Sequence, residues 1–212
     1  MIDNFELIKR MFYFNEGNDM FFHMQILRRG KDHPELPAAN KLIKSYLVRS
    51  KKHLESLREE VTFLCEHYKA RAYINVAGKD FDKLNTLLLA KLANNVHLNN
   101  VVDPIHILNS AIGELKSRCP MWVVDVDDMS IKQQVHDWIY NWFLIELKKG
   151  LPTLLPKECF ARDRIKAEIP TKNGCHLITN PFDLAKFKEE FPDVDVHKNN
   201  PTILYIPKSL DD

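Results

Sequence analysis

MWVVDVDDMS (121–130) decides how the rest of this chain is read. An apolar start, Met121 to Val124, runs into acids that alternate with a valine. That pattern predicts a buried strand over 121–127 that ends in carboxylates. Side chains in a strand alternate faces, so Asp125 and Asp127 fall on the same one. Two carboxylates that close repel unless a cation neutralises them. Hard oxygen ligands select magnesium or manganese and leave the remaining coordination sites to water and phosphate oxygens. A pair of this kind is what two-metal phosphoryl transfer uses. The competing reading is that the acids cap the following helix, where negative charge is modestly stabilising. For Asp128 that reading is preferred; for Asp125 and Asp127 the apolar WVV before them favours metal.

Working towards the C-terminus, Ser130 with Gln133 three residues on has capping-box spacing. Ile131, Val135, Trp138, Trp142 and Ile145 give the helix a buried stripe, and Gly150 is a natural stop. Strands follow at IKAEIPT (165–171) and GCHLIT (174–179). A short helix opened by Asn180-Pro181 precedes strands DVDVH (193–197) and PTILYIP (201–207). The order β-α-β-β-α-β is that of a ferredoxin-like or RRM-like sheet, with the last strand as an addition.

Working towards the N-terminus, HLNNVVDPIHILNSAIGELKSRCP (97–120) lacks clean periodicity and reads as a break. So do RGKDHPELPAAN (29–40) and KGLPTLLPKECFARDR (149–164). MFFHMQIL (20–27), KLIKSYLV (41–48) and ARAYINV (70–76) read as strands. Ser50 caps a helix whose apolar positions are Leu54, Leu57, Val61, Leu64 and Tyr68. A second helix runs from about Asp80 to Asn94, with Phe81, Leu84, Leu88 and Leu92 inward. The expected class is α+β: an N-terminal αβ module (1–100) packed on an RRM-like module (101–212) as one compact catalytic unit.

Composition narrows the function. The 212 residues are 45% hydrophobic, enough for a sizeable core. Thirty basic residues against 29 acidic give a net charge of +1, so any nucleic-acid contact must come from a local basic patch. Candidates for backbone contacts are Lys9/Arg10, Arg28/Arg29/Lys31 and Lys148/Lys149. No apolar run approaches the ~18 residues of a membrane span, so no membrane partner is expected. Cys65, Cys119, Cys159 and Cys175 form no CxxC pair, and the nine histidines form no HxxxH or HExxH pattern. Zinc is therefore not expected, and reduced thiols in a cytoplasmic setting are.

Three further segments carry candidate chemistry. In TKNGCHLI (171–178), Asn173-Gly174 is a hairpin signal, Lys172 adds charge, and His176 points to one face of its strand. Read functionally this is a phosphate-contacting turn; read structurally it is an ordinary hairpin. In DVDVH (193–197), Asp193, Asp195 and His197 share a face, and Asp195, mid-strand, is the acid chosen to complete a metal site. The alternative is a solvated edge strand. Arg71, Tyr73 and Asn75 share a face of their strand, with Lys79 following. An arginine and an aromatic so placed can hold a template strand or a base, or simply be the strand's polar side.

In order, VVDVD (123–127), NGCHLI (173–178) and VDV (194–196) resemble the motifs of the archaeo-eukaryotic primase (primase-polymerase) superfamily. That family has an apolar strand ending in DxD, a Gly-x-His strand and a strand with a third acid. The resemblance implies an αβ module joined to an RRM-like module, and a nucleotidyltransferase. Asp125, Asp127 and Asp195 would hold two magnesium or manganese ions, and His176 would contact the incoming triphosphate. Substrates would be nucleotide triphosphates and single-stranded or primed nucleic acid, in DNA replication beside a partner such as a helicase. Cys175 stands where the family often has serine or glycine before the histidine.

Two other readings compete. VVDVDDMS resembles a haloacid-dehalogenase DxDx(T) motif, but Met129 replaces the threonine and only about 85 residues follow for a doubly wound fold. The second is a non-catalytic RRM-like module that binds nucleic acid or protein.

Overall fold

The computed structural model describes all residues except 13, 15–18, 35–39, 99–102, 118, 149–163 and 211–212. Within the helix 132–148, side chains are described to Trp142. Gly150, Lys149, Cys159 and the Ile145 side chain, named above, lie outside the described residues.

The chain is mixed α+β with two antiparallel sheets. In the first, β1 (Ile2–Asp3), β2 (Met20–Arg28), β3 (Lys41–Val48), β4 (Arg71–Asn75), β5 (Lys79–Asp80) and β10 (Pro201–Ile206) assemble in the order β1-β10-β4-β2-β3, with β5 on β2. In the second, β6 (Trp122–Val126), β7 (Ile165–Pro170), β8 (Cys175–Thr179) and β9 (Asp195–His197) take the order β7-β8-β6-β9. The helices are α1 (Phe5–Met11), α2 (Lys51–Ser56), α3 (Arg58–Tyr68), α4 (Phe81–His97), α5 (Pro104–Glu114), α6 (Lys132–Lys148) and α7 (Leu184–Glu190).

Strand alternation explains the layers. Met24, Ile26, Ala72 and Ile74 turn one face of the first sheet to Phe5 and Ile8 of α1, Leu54 of α2, and Val61 and Cys65 of α3. On the opposite face Phe21 packs with Leu84 of α4 and with Ala111 and Ile112 of α5. In the second sheet Val124, Val126 and Leu177 pack with Val135, Ile139 and Phe187 of α6 and α7. Their immediate neighbours in sequence, Val123 and Ile178, point to the opposite face and join Ile169 in the core of the first sheet. The second sheet is thus a layer with helices on one side and the first sheet on the other. Asn4, fully buried, ties the two sheets: its amide donates to Pro170 O of β7 at 3.0 Å and to Ile203 O of β10 at 3.1 Å.

Several expectations need correcting. The last strand is no addition to the second sheet: β10 pairs with β1 and β4, so it belongs to the first sheet although it lies within 101–212. The stretch 97–120 contains α5, opened by Asp103, whose side chain accepts from Ile105 N at 2.9 Å, with proline in its first turn. Ser50 caps as expected, accepting from His53 N at 2.9 Å, but the helix breaks at Leu57, and Tyr68 is exposed. Leu92 of α4 is also exposed. Asp128 rather than Ser130 organises the start of α6: its carboxylate accepts Ser130 N at 2.8 Å. Every described strand pairing is antiparallel, whereas the doubly wound fold of a haloacid dehalogenase needs a parallel sheet. Cys65 and Cys175 are free and buried, but Cys119 is disulfide-bonded, against the expectation of reduced thiols throughout. No described helix is long and apolar enough to cross a membrane.

Under α5 the first sheet buries two basic groups. Lys79, 7% exposed, donates to Ile112 O, and His23 is 6% exposed with no partner for Nε2. Burial, helped by the Lys79 charge, lowers the His23 pKa from 6.5 to about 4. Between those values the unfolded chain binds the proton and the folded one does not, so stability falls as pH drops below 6.5. Urea unfolding at pH 7.5 and pH 5 should show His23 costing about 2 kcal/mol at the lower pH, a cost absent in His23→Leu.

Candidate functional site

β6 is paired on both sides, and its register decides what surrounds Asp125. Asp125 sits opposite His176 of β8 and opposite Asp195 of β9. Directly opposed residues point to the same side, so these three form one row across three strands. The row lies on the face of Val123 and Ile178, the face turned to the first sheet.

His176 Nε2 is 3.4 Å from Asp125 Oδ1. That is an electrostatic contact rather than an aligned hydrogen bond, and Oδ1 is buried with no hydrogen-bond partner. The Asp125 carboxyl is held below the ordinary carboxylate range by His176 first, against the opposing effect of burial, with smaller help from His197 and Lys31. On its other side the His176 ring meets Thr202 Oγ1 of β10, 2.8 Å from Nδ1. Thr202 is fully buried. It was not singled out in the sequence, and no local signal marks it: it is a polar residue in an apolar strand, brought in by the packing of one sheet on the other.

The remaining sequence-derived candidates divide into those near the row and those engaged elsewhere. Asp127 is exposed and follows the last residue of β6, so the strand ends before it and alternation no longer fixes its direction. Among the described residues it has no hydrogen bond or ion pair. The Asp195 carboxylate is 74% exposed and 3.9 Å from Lys188 Nζ. Among the described residues no three His, Cys, Asp or Glu side chains are gathered as metal ligands. Lys172 donates to Leu210 O at 2.7 Å, and Asn173 is exposed. Arg71 is paired with Asp32 at 2.6 Å, both side chains about nine-tenths buried. The Tyr73 hydroxyl accepts from Arg29 at 3.3 Å. Arg71 and Tyr73 therefore hold the segment 29–32, and Lys31 from that segment biases Asp125.

Gly174 has a different reason from the one a hairpin signal gives. Neither Asn173 nor Gly174 takes the positive φ of a type I′ turn. A Cβ at Gly174 would instead lie 2.0 Å from Val126 O and 2.9 Å from Asp127 Cα. Glycine is required because the turn lies directly on the backbone that carries the DxD acids. Thr171 secures the turn: its N–H donates to Gly174 O at 3.0 Å, and its hydroxyl accepts Gly174 N at 3.1 Å.

Since the clash is with backbone, Gly174→Ala should displace β6 or the turn. Urea unfolding should register a loss of at least about 3 kcal/mol, beyond the ordinary range for a glycine-to-alanine change. Gly113→Ala, where a Cβ meets nothing within 4 Å, is the control and should be neutral or stabilising. No family model matches this chain, and neither a curated protein nor a solved structure does.

Proposed function

We propose that this protein is a divalent-metal-dependent nucleotidyltransferase of the primase-polymerase type, acting on nucleotide triphosphates and single-stranded or primed nucleic acid. The observation that carries the reading is the cross-strand row of Asp125, His176 and Asp195, with Asp127 leaving the same strand beside Gly174. These are the residues the sequence resemblance assigns to the motifs. The succession β6-α6-β7-β8-α7-β9 in sheet order β7-β8-β6-β9 is the split βαβ arrangement expected of an RRM-like module. The first sheet then corresponds to the αβ module.

The donor chemistry at the row suits a magnesium or manganese ion, although the described side chains are not gathered as a ready set of ligands. The buried Oδ1 of Asp125 is a hard oxygen that makes no close hydrogen bond, with His176 Nε2 standing 3.4 Å away. Asp127 and Asp195, both exposed, supply the other carboxylates. When bound, such ions neutralise charge on the transferring phosphoryl group. His176 offers an imidazole N–H to a triphosphate oxygen, and the 171–174 turn limits how far the β6 acids can move. Arg71 and Tyr73 would have to exchange their partners Asp32 and Arg29 to hold a template, and Arg29 and Lys31 are the freer cations there. A replication partner such as a helicase belongs to the same proposal.

The second reading, a non-catalytic nucleic-acid or protein binding module, is favoured by the internal pairing of Asp195 with Lys188 and of Arg71 with Asp32. The two readings separate in one assay. With manganese, labelled nucleotides and primed or unprimed templates, the wild-type chain should extend or synthesise a strand. Asp125→Ala/Asp127→Ala should lose at least about 100-fold of that activity, the scale of removing an electrostatic stabiliser of the transition state. Template binding without product, unchanged in the variant, is the outcome the binding-module reading requires.

A further inference from the structure

We infer that Thr202 is a positioning residue for His176: its hydroxyl donates to Nδ1 and so keeps the ring's proton on Nε2, facing Asp125. The functional weight of this assignment rests on the nucleotidyltransferase reading, but the geometry stands without it.

A carboxylate only accepts hydrogen bonds. The ring nitrogen beside Asp125 is Nε2, at 3.4 Å, so the favourable place for the proton of a neutral ring is Nε2. Nδ1 is then bare and needs a donor. The atom facing it at 2.8 Å is Thr202 Oγ1, whose hydrogen is free to rotate towards it. Thr202 is fully buried, so water is not at hand as an alternative partner, and His176 is the side chain its hydroxyl meets. A buried hydroxyl that donates to nothing is destabilising, and Nδ1 relieves that cost. The opposite tautomer would place Nδ1–H towards Thr202 and a bare Nε2 lone pair towards a carboxylate, setting like charge against like. It would also remove the one N–H that His176 can offer a triphosphate oxygen.

The contact also joins the two sheets. His176 belongs to β8, whereas Thr202 belongs to β10, in register with Ile74 of β4. How β10 seats in the first sheet therefore sets the tautomer of a ring in the second. Groups that fix the orientation and proton of a functional imidazole commonly matter about 10–100-fold, the range known for groups that orient metal-bound histidines.

Long-range proton–nitrogen NMR on the full chain with labelled histidine reads the tautomer directly, in conditions where the ring is neutral. The expected result is a protonated Nε2 and a bare Nδ1 for His176 in the wild type and in Thr202→Ser. In Thr202→Val the fixed pattern should give way to a mixture of tautomers, with the amide spectrum otherwise retained. A proton on Nδ1 in the wild type, measurable whatever the variants do, overturns the inference, as does an unchanged pattern in a folded Thr202→Val. Strand synthesis is scored separately. If it occurs, Thr202→Val should lower it by roughly tenfold or more while Thr202→Ser restores it. A wild-type chain with the expected tautomer and no synthesis upholds the role of Thr202 and removes the nucleotidyltransferase reading instead.

Discussion

The register of β6 against its two neighbours is the constraint on which the rest of the structure depends. With Asp125 opposite His176 and Asp195, the valines on either side of it, Val124 and Val126, pack under α6 and α7. A slip of one residue would drive Asp125 into that apolar layer and turn the valines to the other face. Hydrophobic burial thus holds the acid where it is, at the scale of 1.5–3 kcal/mol for each large apolar side chain removed from water. Gly174 adds a steric lock to the same register, because its lack of a Cβ lets the β7–β8 turn rest on Val126 and Asp127. The electrostatics of the row follow from this placement. A carboxylate half-withdrawn from water has His176 on one side and, farther off, His197 and Lys31.

The second constraint is the way the sheets share a core. The chain leaves the second sheet after β9 and returns to the first as β10, between β1 and β4. That return brings Thr202 to His176 and Ile203 O to Asn4. The second sheet is complete within the C-terminal half of the sequence, whereas the first draws its strands from both ends of the chain. A division near residue 100 separates the second sheet from most of the first but cuts off β10.

Much of the fold was legible because burial is one-sided in most strands. KLIKSYLV matches β3 to the residue, and MWVVDVD and GCHLIT predicted β6 and β8 within two residues at each end. What was not legible depended on distance in sequence or on short elements. α5 begins with a readable Asp103-Pro104 signal, but only Ile107, Ala111 and Ile112 of its residues are buried and the segment around it is irregular. β10 looks like any apolar strand, and nothing local says which sheet takes it. Within the site, Asp125, His176 and Asp195 were singled out by strand alternation, by the mid-strand place of Asp195 and by the order of the motifs. Their facing one another needed the strand order, and Thr202 needed the packing of one sheet on the other. Gly174 was noticed for the wrong reason: a turn signal stood in for a close approach that only the folded chain contains.

The claim at the centre of this account is that the carboxylates at the end of β6 bind a divalent cation. Manganese titration followed by the electron paramagnetic resonance of the free ion tests it without assuming any substrate. The account predicts saturable binding that is lost in Asp125→Asn and weakened in Asp127→Asn, and kept in Asp128→Asn, whose carboxylate instead serves the start of α6. Equal binding by the wild type and Asp125→Asn, or no binding by either, would contradict it.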